Sequence, residues 1–494
     1  MKIKTNKVWM NTIKKYGGLM PFYCLPKTRE DIVELVQRAE NEGKRIKAVG
    51  SGHSFSDVAV PETYLVDLKK MNKLLDLPKS IKAGRTDNLV HVEGGMTVQK
   101  FNKQMGKPDR NLCVVNMGGI DEQTLAGAIS TGTHGTGIDL PSFPGMVRSI
   151  LMVTHEGKSV RIEPKDGVTD PAKHNEQGVE LIQDEDTFNS ALVSLGCFGI
   201  IYSFILEMKP MYYLEESKTR YEWSFVKYKL QDRSLFYELD GKTPIRGVMV
   251  QVNPYKNKEG DRTCIVVRHR MLPGKPKKRG LGARTRNWLS STLGSLPFSY
   301  WVLRRIARRS PHKLPGLLDT SLKSLQDKRY QNKGYKVLYQ GAEYIKVRAY
   351  DCEFAFNMEN KNNDFIEALE AMFDRAEENM KKGRYQTAPM GLRFVDSSPA
   401  YLSPEYNHKV AYIDSPFITG SLHLDELLFE YQEIMLKHNG IPHWGKINTV
   451  LDEKLDEISQ HYPKLKDWQK VLKKFNPTGT FSNKFSERLG LDPS

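Results

Sequence analysis

Two short loops rich in glycine and small residues are the segments of this chain best suited to chemistry. The first, 49–57, has the sequence VGSGHSFSD, contains His53, and directly follows an apolar stretch typical of a strand. The second, 130–137, has the sequence STGTHGTG and contains His134. Because glycine tolerates positive φ angles and lets other groups approach the backbone, two such loops can place many N–H groups around a pyrophosphate. The pair therefore predicts a nucleotide-binding site.

Two other interpretations of the first loop are less consistent with the sequence. A Rossmann dinucleotide loop needs GxGxxG at the start of a helix, but the sixth position here is Phe55, and no helical periodicity follows it. An ordinary tight turn stays open for the first loop taken by itself. The second loop favours nucleotide binding over that alternative.

The surrounding pattern predicts the elements that hold these loops. Apolar residues at helical spacing, led by two acidic residues, predict a helix over 29–40. Shorter apolar runs predict strands, which lie at 46–49, 64–67, 89–93, 150–154 and 160–162. Beyond about residue 210 the pattern changes to longer alternating segments, at 247–252, 264–269, 344–356, 390–395 and 410–413. Helical patterns separate them, so we expect an α+β protein whose second domain is one antiparallel sheet with helices on a face.

Length and composition limit the class of protein. With 494 residues, of which 39% are hydrophobic and 27% charged, the chain is long enough for two or three soluble domains. No apolar run reaches the roughly 18 residues needed to span a bilayer, and the basic N-terminus lacks the apolar core of a secretory signal. The five cysteines are scattered, and the twelve histidines neither cluster nor form HExxH. We therefore expect reduced thiols in a cytoplasmic protein, and no metal site.

The net charge of +15 is concentrated in one segment. Residues 272–312 contain no Asp or Glu, and ten basic residues supply most of the excess: Lys275, Lys277, Lys278, Arg279, Arg284, Arg286, Arg304, Arg305, Arg308 and Arg309. Apolar residues are interleaved with them, namely Trp288, Leu289, Leu293, Leu296, Phe298, Tyr300, Trp301, Leu303 and Ile306. This composition favours an anionic membrane surface, with the protein bound peripherally. A disordered or partner-binding loop stays open, whereas nucleic acid is not expected because no recognised nucleic-acid module is present.

Four segments together resemble a known family of flavoenzymes. They are 49–57, the block 116–135 (NMGGIDEQTLAGAISTGTHG), the turn 195–201 (LGCFGII) and the late sequence 442–446 (PHWGK). These resemble the sugar-lactone and alditol oxidases of the vanillyl-alcohol-oxidase superfamily of FAD enzymes. The resemblance covers nearly the whole chain and is weakest in 272–315, which looks like an insertion. It implies a PCMH-type FAD-binding domain at 1–209, a substrate-binding cap domain at 210–446, and a C-terminal segment, 447–494, that returns to the FAD domain.

The resemblance also implies how FAD is held. In this family the histidine of the first loop is bonded to the 8α-methyl group of the isoalloxazine, and His53 occupies that position; a histidine that is only hydrogen-bonded in a turn is the alternative. The implied cofactor contacts are Ala48, Val49, Gly50, Ser51, Gly52, Ser54, Gly119, Thr124, Gly127, Ile129, Ser130, His134, Gly199, Ile200 and Ile201. The first loop and Thr124–His134 would hold the pyrophosphate, and the 199–201 turn would lie against the adenine half.

The implied reaction is hydride transfer from an alcohol or lactone carbon to flavin N5, followed by reduction of O2 to hydrogen peroxide. Lys446 is the implied active-site cation, with a surface lysine as the alternative. A glycine at the position of Gly118 leaves a path for oxygen in relatives, which favours an oxidase; loop flexibility is the other explanation for this glycine.

One departure from the family pattern affects the substrate. Arg393 matches the family's substrate arginine, but the acid of its Glu-x-Arg pattern is replaced by Gly391. Glu353 or Asp414 could supply the missing carboxylate, or each could be a structural ion-pair partner. A serine found in some relatives is also absent at Gly119. These changes favour a larger or less polar substrate than a small polyol.

Three function classes therefore follow from the sequence. The first is a covalent-FAD oxidase of a hydroxyl-bearing substrate, with O2 as its second substrate. The second is a dehydrogenase of the same fold that passes electrons to a quinone or a protein. The third is a flavin-binding protein that lost substrate chemistry at Gly391.

Overall fold

The structure is a computed structural model that describes residues 1–276, 297–340, 349–360 and 362–493. Within these ranges, helices accompany a four-stranded, a six-stranded, a two-stranded and an eight-stranded sheet. The mixture of helices with a fully antiparallel eight-stranded sheet agrees with the α+β class that the sequence predicts.

The first 210 residues form the three smaller sheets. Their elements are β1 (Lys2–Met10), β2 (Gly17–Leu25), α1 (Arg29–Asn41), β3 (Ile46–Val49), β4 (Tyr64–Asp67), β5 (Leu74–Leu75), β6 (Leu89–Glu93), α2 (Val98–Met105), β7 (Leu112–Cys113), α3 (Leu125–Ser130), β8 (Val147–Val153), β9 (Ser159–Glu163), β10 (Val179–Gln183), α4 (Glu185–Leu192), β11 (Ile200–Glu207) and β12 (Lys209–Pro210). The strand orders are β1-β2-β4-β3, β10-β9-β8-β11-β6-β5 and β12-β7.

The remainder forms the large sheet and its helices. Its elements are β13 (Tyr213–Glu222), α5 (Trp223–Gln231), β14 (Gly247–Val252), β15 (Thr263–Leu272), α6 (Pro297–Arg309), α7 (Leu314–Lys323), β16 (Arg329–Lys333), α8 (Gly334–Leu338), β17 (Ala349–Asn357), α9 (Asp364–Lys381), β18 (Met390–Val395), β19 (Val410–Ile418), α10 (Leu424–Lys437), β20 (Ile441–Pro442), α11 (Leu451–Ser459), α12 (Leu465–Phe475) and α13 (Lys484–Arg488). The strand order is β16-β13-β15-β14-β18-β19-β17-β20.

Local sequence explains why α1 and β3 deliver the first loop. The Thr28 side chain caps α1 by accepting a hydrogen bond from the N–H of Asp31, and Ile32, Leu35 and Val36 form its buried face. The helix predicted over 29–40 is confirmed and extends one residue further. The parallel strand that follows it is β3, so the glycine-rich loop begins where β3 ends.

Around β17, β18 and β19 the large sheet has one apolar face and one polar face, because side chains alternate along a strand. Phe394 contacts Phe365 of α9, and Phe417 contacts Tyr431 of α10, so this face is covered by the two helices. The side chains at alternate positions point to the opposite face, toward the loops of the first 210 residues. The functional side chains of the sheet are on that second face.

The C-terminal helices return to the first sheet. The N–H of Ile46 donates to the carbonyl of Thr480 (2.9 Å), and the Asn483 amide donates to the carbonyls of Val58 and Val60. Phe198 also packs against Trp468 of α12, with 4.9 Å between ring centroids. These contacts agree with the expected return of the C-terminal segment to the FAD-binding half. The domain boundaries 1–209, 210–446 and 447–494 stay a prediction.

Several sequence predictions can be compared with the described residues. The strand predictions over 46–49, 64–67, 89–93, 247–252 and 390–395 match β3, β4, β6, β14 and β18. The predicted strand 344–356 is described from 349 onward. All five cysteines are buried and none forms a disulfide. Of the basic segment, residues 277–296, including Lys277, Lys278, Arg279, Arg284, Arg286, Trp288, Leu289, Leu293 and Leu296, lie outside the described residues.

The described helices contain no membrane-spanning candidate: none of them combines the length and the apolar character needed to cross a bilayer.

Candidate active site

The two glycine-rich loops and the 195–201 turn line one cleft. The first loop contributes all of Ala48 to Ser54 to its wall. The other predicted cofactor residues that line it are Thr124, Gly127, Ser130, Gly199 and Ile201. The side chains of Ile129 and Ile200 are instead buried in the apolar core, and neither residue lines the cleft.

Glycine is required where these loops approach each other. A Cβ atom at Gly50 would overlap the Oγ1 atom of Thr124, which caps α3 by accepting a hydrogen bond from Gly127 N (3.3 Å). Gly199 has a φ of +149°, and a Cβ there would overlap the carbonyl of Val153. The cleft is therefore formed by backbone at positions where a larger residue would not fit.

The donor set of the first loop suits a pyrophosphate. Among the described residues, no protein group accepts a hydrogen bond from the backbone N–H of Ser51, Gly52, His53 or Ser54. Four successive N–H groups without protein acceptors, at the wall of a cleft, form a concave donor site for anionic oxygens. The residues present therefore fit the diphosphate of a dinucleotide.

His53 lies at the junction between this cleft and a second cavity. It lines both of them. Within the described part of the chain its ring makes no hydrogen bond, which the interpretation as a hydrogen-bonded turn histidine would require. Burial lowers the pKa of His53, partly offset by Glu122, so the ring is neutral at pH 7. A neutral imidazole is the nucleophilic form of this side chain.

The first loop is fixed in place by the HWGK segment, residues 443–446. The N–H of Phe55 donates to the carbonyl of Gly445 (2.7 Å), and the Ser56 hydroxyl donates to that of Trp444 (2.7 Å). His443 accepts a hydrogen bond from Gly445 N through its Nδ1 atom (3.0 Å). Burial lowers the pKa of His443 to about 3, so this ring acts as a neutral acceptor that shapes the segment.

The second cavity, of about 350 Å³, lies between the loops and the polar face of the large sheet. Gly118, Gly119 and His134 line its loop side, so Gly119 and His134, which the sequence assigns to the cofactor, lie in this cavity and not in the cleft. The sheet side and the HWGK segment contribute Asp351, Glu353, Arg393, Asp414 and Lys446. Side-chain alternation places these sheet residues together, since all occupy positions that point to one face.

A compact charge cluster occupies one end of the cavity. The Nζ atom of Lys446 lies 3.0 and 2.9 Å from the two carboxylate oxygens of Asp351 and 3.1 Å from Glu353 Oε2. The Nε2 atom of His134 lies 3.4 Å from Glu353 Oε1. Lys446 is thus an enclosed residue, 25% exposed, with two carboxylate partners. The surface-lysine alternative does not describe this position.

The cluster shifts the pKa values of its members. Burial alone would lower the pKa of Lys446, but Asp351 and Glu353 raise it above its ordinary value. Burial would raise the pKa of Glu353, but Lys446 and His134 lower it well below the usual range. Burial raises the pKa of Asp351, and Lys446 offsets this only in part. Lys446 and Glu353 therefore form a permanently charged pair at neutral pH.

Asp414 and Arg393 lie beside this cluster. Asp414 of β19 is directly opposite Gly391 of β18, in the same row as Glu353 of β17. Burial raises the pKa of Asp414 to about 6, although Arg393 lowers it. Arg393 Nη2 donates to Oε1 of Gln340 (3.3 Å).

The structure also adds residues that the sequence did not suggest. Asp351 is two residues before Glu353 on one strand, so the alternation rule could have identified it. Gln340 and Tyr412 had no sequence signal: Tyr412 stacks on His134 with 3.8 Å between ring centroids, a contact between segments far apart in the chain.

Comparisons with known proteins agree with this geometry. A family model described as FAD binding domain matches residues 20–163, which contain both loops. A second model, described as D-arabinono-1,4-lactone oxidase, matches residues 260–489, which contain the sheet side of the cavity and Lys446. These two matches support the FAD-dependent sugar-lactone oxidase family of the vanillyl-alcohol-oxidase superfamily for this chain. It is therefore a FAD-linked oxidoreductase that acts on CH–OH groups.

Several relatives match this chain over almost its whole length. The L-gulono-1,4-lactone dehydrogenase of Mycobacterium tuberculosis is 25% identical, over 94% of each chain. The L-gulonolactone oxidase of Bos taurus is 23% identical, over 97% of this chain and 98% of its own. Cholesterol oxidase from B. sterolicum has the same fold, with a TM-score of 0.72 at 15% identity, over 99% of this chain and 97% of that chain. The fold of the vanillyl-alcohol-oxidase superfamily, which the sequence predicts, is confirmed.

Proposed function

We propose that this protein is an oxidase with covalently bound FAD that converts a secondary hydroxyl group of a sugar lactone or a related alcohol to a carbonyl. The observation that supports it is the position of His53, which lines both the nucleotide cleft and the charged cavity. A flavin bonded to His53 would have its nucleotide in the cleft and its reactive ring at the cavity. Relatives named for L-gulonolactone support a lactone as the first substrate class to test.

FAD supplies the chemistry of hydride acceptance when bound. The side chains of the protein hold the substrate and its charges. Lys446, fixed between Asp351 and Glu353, presents a cation to the substrate oxygen, which carries negative charge once its proton has left and before the C–H bond breaks. Arg393 donates hydrogen bonds to further oxygens of the substrate, with Gln340 orienting its guanidinium.

Dioxygen is the proposed electron acceptor. Gly118 lines the cavity and has no side chain where a methyl group would lie 3.2 Å from Thr133 Cγ2. The absence of a side chain at this point of the cavity wall favours access of O2 to the cavity. One of the relatives is named a dehydrogenase and another an oxidase, and the rate at which O2 reoxidises the reduced protein distinguishes the two.

An anaerobic screen tests the proposed reaction. The holoprotein is mixed without O2 with L-gulono-1,4-lactone, D-arabinono-1,4-lactone, free sugars, polyols and sterols, and flavin absorbance is followed. We expect at least one lactone or alcohol to bleach the flavin, and O2 to restore the colour with one hydrogen peroxide formed per flavin. Bleaching that O2 does not reverse within seconds, but that a soluble quinone does, would support the dehydrogenase instead. A flavin that no compound bleaches would contradict the proposed function.

We also propose that α6 binds an anionic membrane surface. Trp301 and Val302 are 63% and 49% exposed, and Arg305, Arg308 and Arg309 are exposed on the same helix. Tyr300, whose hydroxyl donates to the carbonyl of Thr419 (3.2 Å), fixes the helix to the end of β19. An exposed Trp beside arginines suits the lipid interface and its headgroups.

Sedimentation with vesicles tests the membrane proposal. Wild type should bind vesicles that contain phosphatidylglycerol, and binding should fall at high salt. Trp301→Ser combined with Arg305→Gln should reduce binding without loss of flavin. Equal binding of wild type and the variant, or equal binding to neutral vesicles, would contradict it.

A further inference from the structure

The three carboxylates of the cavity differ in the contacts that they make with its basic side chains. Lys446 contacts both oxygens of Asp351 and one oxygen of Glu353, and His134 contacts the other Glu353 oxygen. The Asp414 carboxylate makes no hydrogen bond or ion pair with any described residue, yet it lines the cavity. Asp414 is therefore the cavity carboxylate that is free to accept a hydrogen bond from a substrate.

The position of Asp414 depends on the glycine opposite it. Asp414 and Gly391 are a directly opposed pair on neighbouring antiparallel strands, so their side chains would point to the same face. A Cβ atom at position 391 would overlap Asp414 Oδ1 and lie 2.8 Å from its Cγ. A residue larger than glycine at 391 would thus displace the Asp414 side chain. The carboxylate reaches this place from β19 because β18 leaves the space open.

We propose that Asp414 is the group that accepts the hydroxyl proton of the substrate, and that Gly391 is the specificity-determining position that admits it. This inference depends on the proposed function. In the step, the C–H bond breaks and its electron pair leaves as hydride to the flavin, which is reduced by two electrons. The O–H bond breaks, its proton bonds to an Asp414 oxygen, and its electron pair forms the second bond of the C=O group. The substrate is oxidised and the charges balance.

The charges around Asp414 suit this role. Arg393 on β18 and Lys446 on the HWGK segment favour the ionised form of Asp414, whereas Glu353 and Asp351 on β17 favour the neutral form. Burial has the largest effect, and the resulting pKa of about 6 lets Asp414 be ionised before the step and take up a proton during it. Asp351 and Glu353 are poorer candidates, because each already neutralises Lys446.

The first test compares variants of the holoprotein in anaerobic flavin reduction, with the compound that bleaches wild type fastest. Asp414→Asn should slow reduction by about 100-fold or more, as expected when a general base is lost, and should remove the decline of the rate below pH 6. Asp139→Asn, which removes an exposed carboxylate paired with Lys409, is the matched control and should reduce at the wild-type rate. A rate within twofold of wild type for Asp414→Asn, or a raised KM with an unchanged pH profile, would overturn the proposal.

A second test moves the carboxylate to the opposite strand. Asp414→Gly should be slow, and Asp414→Gly combined with Gly391→Glu should recover at least about tenfold, because the new side chain enters the space that Asp414 leaves. Gly391→Ala alone should be slow while flavin content is unchanged, since its Cβ displaces Asp414. If the flavin of Gly391→Ala is reduced as fast as that of wild type, Gly391 does not determine the position of Asp414 as proposed.

A third measurement needs no substrate, so it separates this inference from the proposed function. Titration of the oxidised holoprotein between pH 4.5 and 8 should show a flavin absorbance change centred near pH 6, and Asp414→Asn should abolish it. If no compound bleaches the flavin, the proposed function fails, and this titration still decides whether Asp414 faces the flavin as a free carboxylate. A transition that persists in Asp414→Asn, or that wild type lacks, would overturn the assignment.

Discussion

The ammonium nitrogen of Lys446 lies 3.1 Å from a carboxylate oxygen of Glu353, and both side chains belong to the enclosed cavity wall. The Glu353 side chain is 4% exposed, so its charge is compensated by Lys446 and not by solvent, while His134 contacts its other carboxylate oxygen. Taking one partner away would leave a buried charge without compensation, which costs more free energy than the pair contributes. We therefore expect a substitution in this cluster to change both the stability of the protein and its activity.

Lys446→Met should lower both stability and activity. We expect the free energy of unfolding to fall by about 3 kcal/mol, the usual cost of an unpaired buried charge, and flavin reduction to slow by about 100-fold. Thermal unfolding and anaerobic reduction measure the two effects. The control is Lys409→Met, which breaks the exposed pair with Asp139 and should cost less than about 1 kcal/mol. Equal effects of the two substitutions would show that Lys446 has no special role.

Asp414→Asn should change stability in a pH-dependent way. The pKa of Asp414 is raised to about 6 in the folded protein from an ordinary 3.8. The folded state thus binds more protons than the unfolded state between these values, and stability of wild type falls as pH rises from about 4 to 6. Asparagine removes this penalty, so the variant should gain on the order of 2 kcal/mol relative to wild type between pH 4 and pH 7. Denaturation at both pH values gives the difference, and a gap that is constant with pH would contradict the prediction.

The approach of the two loops can be tested at Gly50. Gly50→Ala places a methyl group where Thr124 Oγ1 lies, so we expect the loops to separate and the FAD content of purified protein to fall by more than half. Thr124→Ala in the same chain should restore part of the content, because it removes the overlapping atom. Gly316→Ala, at a helical position with open space around it, should leave FAD content unchanged. The absorbance ratio of flavin to protein is sufficient, and full FAD in Gly50→Ala would show that the loops can move apart freely.

The sequence predicts those parts of the protein that depend on local pattern. The helix capped by Thr28 and the strand Ile46–Val49 are visible because periodicity, an N-cap and the following glycines lie within one short segment. The loops at Gly50 and Ser130 were predicted for the same reason, since their glycines and small residues are visible in the local sequence, whereas the contacts that fix the first loop are not. The antiparallel sheet was predictable as a class from alternation, without its strand order.

The arrangement inside the cavity could not be predicted in this way. Whether Asp414 or Glu353 compensates for Gly391 depends on the register of β17, β19 and β18, which are separated by a long helix and a loop. From the sequence, either residue could supply the missing carboxylate or be a structural ion-pair partner. Only the register shows that Asp414 is opposite Gly391. The pairing of Lys446 with Asp351 likewise joins segments 95 residues apart.

Covalent attachment at His53 has a direct test. Wild-type protein precipitated in acid should keep its yellow colour and flavin fluorescence on the polypeptide, because a neutral and unpartnered imidazole is available to the isoalloxazine. His53→Ala should release flavin into the supernatant under the same conditions, whereas His155→Ala, a histidine paired with Glu40 at a distant turn, should not. Flavin that leaves the wild type in acid would contradict a covalent bond.

Gly118→Ala should separate the two halves of the catalytic cycle. The added methyl group would lie 3.2 Å from Thr133 Cγ2 and 3.4 Å from the His134 carbonyl, a tight fit that the loop can accommodate by a small shift. In the proposed function the sheet side of the cavity holds the substrate, so anaerobic flavin reduction should stay within about twofold of wild type. Reoxidation by O2 should slow by about tenfold or more, equivalent to about 1.4 kcal/mol in the barrier, because the methyl group narrows the loop side of the cavity. Stopped-flow mixing of reduced enzyme with O2 measures this rate, and reoxidation as fast as in wild type would show that oxygen reaches the flavin by another route.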